Sequence, residues 1–368
     1  MTRRVVIAPD SFKGTASAAD AAAAIARGWA SAAPGDELVL RPMADGGEGT
    51  IDAFEAADPG ALRIPVTVQG PDGRPVETSW LRLPDGSAVV ELAMTSGITL
   101  LDPLRPLDAH TLGFGQAIAA ALDAGASRLL LALGGSSSTD GGIGALAALG
   151  GRFTDATGRP VRLGNRGLGT VARVDLSGLR ALPPGGATIL SDVTNPLLGP
   201  MGAAAVFGPQ KGSDADGVEV LESNLARFAR LVRRLPVGAV DPSTPGAGAA
   251  GGTGFGLLAW GAAMAGGASA VADAMRLDEA LAGADIVVTG EGRFDGQSEA
   301  GKAPTEVARR AAESGVPVAL VAGAITAATD RFAASVSLTD LAGDGAAAMA
   351  DPVRWLERAG SELARVGG

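Results

Sequence analysis

The sequence predicts an α/β protein in which a doubly wound domain, built from both ends of the chain, carries an inserted second α/β domain. Near both termini, strand-length apolar runs alternate with segments of helical period. The middle of the chain has a different pattern. The 55 glycines and 22 prolines are too many for a plain helical bundle, and 368 residues suggest about two domains.

The first sixty residues read as β-α-β-α. The pattern predicts a strand at Val5–Ala8, a helix that Ser17 caps and that runs to about Ser31, a strand at Glu37–Leu40 and a helix at Thr50–Ala57. This alternation is the one that a doubly wound sheet requires.

Strand-like runs then follow one another closely, at Arg63–Gln69, Val76–Leu83 and Ala88–Leu92. Pro-Asp-Gly sequences lie between them, at residues 71–73 and 84–86, and favour hairpins, so this part predicts a β meander. Beyond it the pattern predicts, in order, a helix near Gly115–Ala124, a strand at Arg128–Leu133, a helix at Ile143–Leu149, a strand at Ala187–Leu190 and a helix at Asp214–Arg234.

The C-terminal part returns to the alternating pattern. It predicts strands at Asp285–Val288, Pro317–Val321 and Ser335–Leu338, and helices at Pro304–Glu313 and Pro352–Arg365. We therefore expect one domain from residues 1–60 and 280–368 and a second from residues 61–279. The active site is expected in the cleft between the two domains.

Composition and charge exclude several classes of protein. A net charge of −10 and a pI near 4.7 argue against a nucleic-acid partner. The chain has no cysteine, which excludes disulfides and thiolate chemistry. The N-terminal apolar run is too short for a signal peptide, so a cytoplasmic location is expected. The uncharged segment 242–272 is rich in glycine and favours a packed helix over a membrane span.

Six segments that carry charges follow strand-like runs, and five of them contain glycine. They are Pro9–Gly14, Met43–Thr50, Gly134–Gly142, Ser191–Pro196, Gly208–Gly212 and Thr289–Gly296. Glycines let backbone amides approach an anion, and a helix start adds positive potential. One such segment is more often a turn than a site. Their repetition predicts phosphoryl transfer, which depends on positioning and on charge neutralisation.

Alternative interpretations apply to single residues. Lys13 and Lys211 could be solvated surface lysines, and Asp10 and Asp45 could cap turns or helices. Residues 296–303 nearly match a P-loop, but Ala303 stands where Ser or Thr would hold magnesium, so only Lys302 is kept as a phosphate contact. With one histidine, His110, and no cysteine, the usual hydrolase triads are nearly excluded.

As a set, these segments resemble the bacterial glycerate kinases of the glyoxylate and glucarate pathways. The motifs that carry the resemblance are residues 8–14, 42–50, 134–142, 192–196, 208–212 and 289–295. The resemblance covers nearly the whole chain. It implies ATP-dependent phosphorylation of D-glycerate, usually at the 2-hydroxyl, and a flavodoxin-like (Rossmann-like) discontinuous domain with an inserted second domain.

Individual roles follow from chemistry, with Mg²⁺-ATP and glycerate as ligands. The predicted catalytic residues are Asp45, Asp192, Lys13 and Lys211. The predicted substrate-binding residues are Asp10, Ser11, Arg293 and Asp295, with Arg293 on the substrate carboxylate. The predicted phosphate contacts are Gly46, Gly47, Glu48, Gly49, Thr50, Gly134, Gly135, Ser136, Ser137, Ser138, Thr139, Gly141 and Lys302. The predicted metal ligands are Asp45, Asp192 and Asp140, the last of which could instead be a capping carboxylate.

Several alternatives stay open at this point. The sequence does not separate the general base from the magnesium ligand between Asp45 and Asp192. Phosphorylation at the 3-hydroxyl, a phosphatase or mutase for small phosphorylated acids, and a non-catalytic hydroxy-acid binding protein are the rival functions. Oligomeric state and tolerance for related hydroxy acids are not predicted.

Overall fold

The computed structural model describes residues 2–12, 14–236, 238–295 and 303–366. Within them the chain forms two compact units. The first comprises the described residues of the ranges 1–45, 52–59 and 266–368, and the second comprises those of 46–51 and 60–265. The first unit is therefore assembled from both ends of the chain.

The strands lie in both units. In chain order they are β1 (Arg4–Pro9), β2 (Glu37–Leu40), β3 (Leu62–Gln69), β4 (Pro75–Arg82), β5 (Ser87–Glu91), β6 (Arg128–Ala132), β7 (Arg152–Thr154), β8 (Arg173–Asp175), β9 (Ala187–Leu190), β10 (Ala263–Ala265), β11 (Ile286–Phe294), β12 (Val318–Ile325) and β13 (Ala334–Ser337).

The α-helices lie between these strands and after the last of them. They are α1 (Ala18–Ala32), α2 (Thr50–Ala57), α3 (Leu92–Ser96), α4 (Leu112–Asp123), α5 (Ile143–Ala148), α6 (Asn165–Leu168), α7 (Ala203–Phe207), α8 (Ala215–Val232), α9 (Ala249–Trp260), α10 (Gly267–Ala274), α11 (Leu277–Leu281), α12 (Ala303–Glu313), α13 (Leu338–Ala342), α14 (Gly345–Ala350) and α15 (Pro352–Val366). Short 3₁₀ helices lie at Ile98–Leu100 and Pro209–Lys211.

The first unit contains a five-stranded parallel sheet in the order β13-β12-β11-β1-β2. Its central strands are nearly continuous apolar runs, as strands covered on both faces require. Val5 and Ile7 of β1 and Val288 of β11 are completely buried in one core with Trp29 of α1. Helix α1 begins where Ser17 accepts a hydrogen bond from the amide of Asp20, so the predicted cap is confirmed.

The second unit contains a six-stranded mixed sheet in the order β10-β9-β6-β5-β4-β3. Strands β3, β4 and β5 pair in antiparallel fashion, which confirms the predicted meander, whereas β5, β6, β9 and β10 are parallel. Leu129 and Leu131 of β6 are fully buried against the helices of this unit. The α/β class is therefore correct, and the finer doubly wound, flavodoxin-like assignment stays a prediction.

The boundaries of the units differ from the expected ones. The first unit resumes at Gly266 rather than at residue 280. Within the first unit, the guanidinium of buried Arg310 of α12 donates to Asp273 of α10 at 2.7 Å and to Asp278 of α11 at 2.9 Å. These contacts tie α10 and α11 to the C-terminal part of the chain.

The uncharged glycine-rich segment holds the packed helix that the sequence predicts. Phe255 and Leu257 of α9 are fully buried, and α9 is followed by Gly261, which has a positive φ of 103°. Within the described residues, no helix combines the length and the apolar composition that crossing a bilayer requires.

Candidate active site

A cavity of about 350 Å³ in the first unit gathers five of the residues that the sequence predicts for the site. They are Asp10, Ser11, Asp45, Arg293 and Asp295. Sheet register explains part of this arrangement. Strands β1 and β11 are parallel neighbours, and Pro9 lies opposite Gly290. The residues that follow Pro9 and those that follow Gly290 therefore lie at the same edge of the sheet.

The polar groups of this cavity differ in exposure. Asp10 is buried, and its carboxylate accepts a hydrogen bond from the amide of Ser11 at 2.6 Å. The guanidinium of Arg293 is 66% exposed and forms an ion pair with the carboxylate of Asp295, with Nε and Oδ2 3.5 Å apart. The cavity therefore presents one accessible guanidinium among several carboxylates.

Glu291 lines the same cavity and is buried, with 6% of its surface exposed, although the sequence analysis did not select it. The signal that could have found it is a carboxylate three residues after the apolar run Ile286–Val288. A charged group is rarely buried at such a point without a partner or a role.

The expectation that Thr289–Gly296 forms a glycine-rich loop is wrong for its described part. Strand β11 continues through Phe294 and pairs with β12 as far as Ile325. A Cβ atom on Gly290 would lie 2.2 Å from the carbonyl oxygen of Val321. The glycine therefore permits close approach of two strands.

In the second unit, Lys211 lies beneath the 134–142 segment, which we call the serine loop. Its side chain is 2% exposed, and its Nζ donates to the hydroxyl of Ser136 at 2.7 Å and to the carbonyl of Ser138 at 2.5 Å. Burial lowers the pKa of Lys211 to about 7, and the negative charge of Asp140 partly opposes this effect. The surface-lysine alternative is therefore wrong.

Asp140 is fully buried and holds the loop together. Its carboxylate accepts hydrogen bonds from the amide and hydroxyl of Thr111, both at 2.9 Å, and from the amides of Gly142 at 3.0 Å and Gly144 at 3.2 Å. Four donors leave its two oxygens little capacity for a metal ion. The geometry therefore favours the capping role over the predicted metal role.

The serine loop is not the open phosphate cradle that its composition suggests. Ser137, Ser138, Thr139 and Gly141 are buried. The amides of Gly134, Ser137 and Gly141 already donate to carbonyls of the fold, namely those of Gly46, Ser96 and Gly251. A Cβ atom on Gly134 would lie 2.3 Å from Cα of Gly47, so this glycine permits two backbones to pack together. Gly135 is the exposed residue of the loop.

A carboxylate of the protein already occupies the predicted anion site at the start of α2. Buried Glu91, at the end of β5, accepts hydrogen bonds from the amides of Gly49 at 3.1 Å and Ile51 at 3.0 Å. The hydroxyl of Thr50 donates to the carbonyl of Gly47 at 2.7 Å. An internal anion therefore satisfies these two amides in the structure, and the phosphate role of this segment stays a prediction.

The other residues of the predicted phosphate segment are placed differently. Gly46 is buried against β9, where a Cβ atom would lie 2.6 Å from the carbonyl oxygen of Leu190, and Glu48 is exposed. Asp192 is partly buried and lies two residues beyond β9. Lys13 and Lys302 lie outside the described residues.

Magnesium would have to be held by few protein ligands. Among the described residues, no group of three or more acidic or histidine side chains is arranged to hold a metal ion. Mg²⁺ usually retains several waters and binds through one or two carboxylates together with substrate phosphates. Partly exposed Asp45 fits that pattern, because it lines an open, carboxylate-rich cavity.

Comparison with known proteins identifies the family. The model of the glycerate kinase family matches residues 5–367. The chain belongs to the glycerate kinase family. It is 44% identical over 328 residues to a glycerate kinase of Bacillus subtilis (strain 168), covering 88% of this chain and 85% of that protein. It is 41% identical over 329 residues to the glycerate 2-kinase of Escherichia coli (strain K12), covering 88% and 86%.

A solved structure has the same fold. A protein named as a glycerate kinase 2 from Salmonella typhimurium LT2 matches with a TM-score of 0.85 and 38% identity, over 99% of this chain and 98% of that one. The chain is thus a kinase of the glycerate kinase family, as its sequence motifs imply.

Proposed function

We propose that this enzyme transfers the γ-phosphoryl group of ATP to the 2-hydroxyl of D-glycerate. Family membership supports the reaction class, and the similar protein of Escherichia coli is named a glycerate 2-kinase. The observation that carries the proposal is the first-unit cavity, which holds Asp45 and the four predicted substrate-binding residues.

In this proposal Arg293 binds the carboxylate of glycerate. Its guanidinium is exposed, and a planar fork of N–H donors matches a carboxylate in a bidentate manner. Asp295, 3.5 Å away, orients the guanidinium when no substrate is bound. Asp10 and Ser11, at the end of β1, provide groups that can hydrogen-bond the hydroxyls of a small hydroxy acid.

The transfer itself needs one proton acceptor. The 2-hydroxyl oxygen forms a bond to the γ-phosphorus, the bond from that phosphorus to the bridging oxygen breaks, and ADP leaves. The hydroxyl proton passes to a carboxylate, for which Asp45 and Asp192 are the candidates. The other carboxylate would hold Mg²⁺, which neutralises charge on the phosphates.

The serine loop has a supporting part in this proposal. Lys211 and Asp140 fix its backbone from below, so it is a rigid wall whose exposed residue, Gly135, can approach a phosphate. Phosphate contacts from Lys13 and Lys302 stay predictions, and so does a location of the reaction in a cleft between the domains.

The direct test combines turnover with product analysis. With D-glycerate and Mg²⁺-ATP, a coupled assay of ADP release should show turnover, and phosphorus NMR of the product should show 2-phosphoglycerate. A 3-phosphoglycerate signal would show that the enzyme phosphorylates the 3-hydroxyl instead of the 2-hydroxyl. Phosphate release from phosphoglycerate without use of ATP would indicate a phosphatase, and calorimetric binding of glycerate without turnover would indicate a binding protein.

The role of Arg293 is tested separately. Arg293→Gln should raise the KM for glycerate by at least about tenfold, because a charge-assisted hydrogen bond contributes about 1.5–3 kcal/mol. The KM for ATP should change little. Arg27→Gln is the matched control, because Arg27 is an exposed arginine of the same unit, pairs with Glu357 and does not line the cavity.

A further inference from the structure

A second cavity, of about 730 Å³, lies in the second unit and has no part in the proposed reaction. Three guanidiniums and one imidazole dominate its polar lining. We call it the arginine cavity, and its lining residues are Asp72, Arg105, Asp108, His110, Arg162, Leu163 and Arg166. A volume in this range is typical of sites for small molecules.

The two carboxylates of the arginine cavity are already neutralised. Arg166 donates to both oxygens of Asp108, from Nε at 2.7 Å and from a terminal nitrogen at 2.9 Å. Asp72 accepts hydrogen bonds from the side chain of Arg74 at 2.6 Å and from its amide at 3.1 Å. Each acidic group therefore has its own arginine.

Arg105 and Arg162 remain as two unmatched positive charges. Both are exposed, and neither guanidinium makes a hydrogen bond or an ion pair with any described residue. Hydrogen bonds from Arg166 lower the pKa of Asp108 most, and the charges of Arg162 and Arg105 lower it further. Both guanidiniums are therefore close enough to act on the same carboxylate at the wall of the cavity.

His110 adds a donor without a charge. It is 6% exposed, and burial lowers its pKa, with the charge of Asp140 opposing that effect. The imidazole is therefore largely neutral at pH 7. Its Nδ1 accepts from the amide of Leu112 at 3.4 Å, which leaves the proton on Nε2.

We propose that the arginine cavity binds a small organic phosphate. Two unmatched guanidinium forks suit a single dianionic phosphate group, which accepts bidentate hydrogen bonds from each. The cavity has more room than an inorganic phosphate ion fills, so an ester carrying a small organic group fits its size. The proposal concerns binding alone and does not depend on the reaction at the first-unit cavity.

The arginine cavity is connected to the serine loop through hydrogen bonds of Thr111 and Asp140. Thr111 follows His110 directly, and its amide and hydroxyl both donate to Asp140 at 2.9 Å. Asp140 in turn holds the amides at the start of α5. A ligand that contacts His110 therefore lies one residue from the hydrogen bonds that fix the loop.

The single histidine of the chain makes this testable by NMR. Protein with ¹³C-labelled histidine gives one set of imidazole signals, all from His110. Titration with glycerol 3-phosphate and with 2-phosphoglycerate should shift these signals saturably, with a Kd of about 1 mM or tighter. Inorganic phosphate should bind more weakly, and D-glycerate, which lacks the phosphate, should have no effect.

Variants then locate the binding. Arg105→Gln combined with Arg162→Gln should weaken it by at least about tenfold. Arg82→Gln, an exposed arginine of the same unit outside the cavity, should leave it unchanged, and so should Arg293→Gln in the first unit. Absence of a shift at 10-fold above that Kd, or an equal shift in the Arg105/Arg162 double variant, would overturn the proposal.

Discussion

Replacement of Lys211 by methionine should remove a specific pH dependence of stability. The Nζ atom of Lys211 is buried beneath the serine loop, and burial lowers its pKa to about 7. A lysine in the unfolded chain keeps its proton up to about pH 10.4. Between these two values the unfolded state binds more protons than the folded state. The free energy of unfolding must therefore rise with pH over this range.

The size of this effect follows from the two pKa values. Well above pH 7 one full proton separates the two states, which corresponds to about 1.4 kcal/mol for each pH unit. Near pH 7 folded Lys211 is half protonated, so the slope there is half as large. From pH 7 to pH 9 the contribution of Lys211 to stability should thus rise by about 2 kcal/mol.

Urea unfolding, followed by circular dichroism at pH 7, 8 and 9, measures this contribution as the difference between the native chain and Lys211→Met. Few other groups interfere, because the chain has no tyrosine, no cysteine and one histidine. Arg82→Met is the control, because it removes an exposed positive charge and should give an offset that does not change with pH. If the native chain and Lys211→Met respond to pH in parallel, the assigned burial of the charge is wrong.

Three further predictions concern the corrected and the proposed sites. Glu91→Gln should lower the free energy of unfolding by about 1–3 kcal/mol, because the amide side chain can satisfy only one of the two helix-start amides well. Gly134→Ala should lower the free energy of unfolding by about 1–3 kcal/mol, because the added Cβ would lie 2.3 Å from Cα of Gly47. Asp45→Asn and Asp192→Asn should each lower kcat in the ADP-release assay, the general base by at least about 100-fold.

Each of these predictions has a matched control variant. Glu77→Gln changes an exposed glutamate of the same unit and should leave stability within about 0.5 kcal/mol. Gly35→Ala adds a methyl group where no atom lies within 4 Å, so it should be neutral or slightly stabilising. Asp216→Asn should keep normal turnover. Near-normal turnover in both Asp45→Asn and Asp192→Asn would refute their assignment.

Much of the fold is predictable because local signals agree with the final packing. The apolar runs at Val5–Ala8 and Arg128–Leu133 form buried strands. The Pro-Asp-Gly sequences form the turns between the strands of the meander. The resemblance identified the family from motifs alone. Contacts such as those of Arg310 with Asp273 and Asp278 reach more than thirty residues along the chain, and a local sequence pattern carries no signal for them.

The glycine segments were harder to interpret, because one pattern serves two purposes. A glycine allows an amide to approach an anion, and it equally allows two backbones to touch. Gly134 against Gly47 and Gly290 against Val321 are contacts of the second kind. Whether a glycine binds an anion or packs against a backbone depends on which segment lies next to it in the fold. The periodicity of the sequence does not predict that neighbour.

The start of α2 shows the same limit for charge. Its amides donate to an anion, and in the structure that anion is the carboxylate of Glu91, 40 residues from Ile51. The positive potential of a helix start is predictable from the sequence, whereas the group that accepts its hydrogen bonds depends on tertiary packing. A buried carboxylate elsewhere in the chain is therefore the first alternative to test before a helix start is assigned to a phosphate.

The sequence places residues at the ends of neighbouring parallel strands together more directly than it places residues within loops. Asp10 and Arg293 share a cavity because β1 and β11 are paired, and strand order limits how far apart such ends can lie. Lys211 and Ser136 are 75 positions apart, and their contact depends on how an entire unit packs. Sheet topology thus brings the candidate substrate groups together, whereas the lowered pKa of Lys211 follows from its burial beneath the serine loop, which strand order alone does not predict.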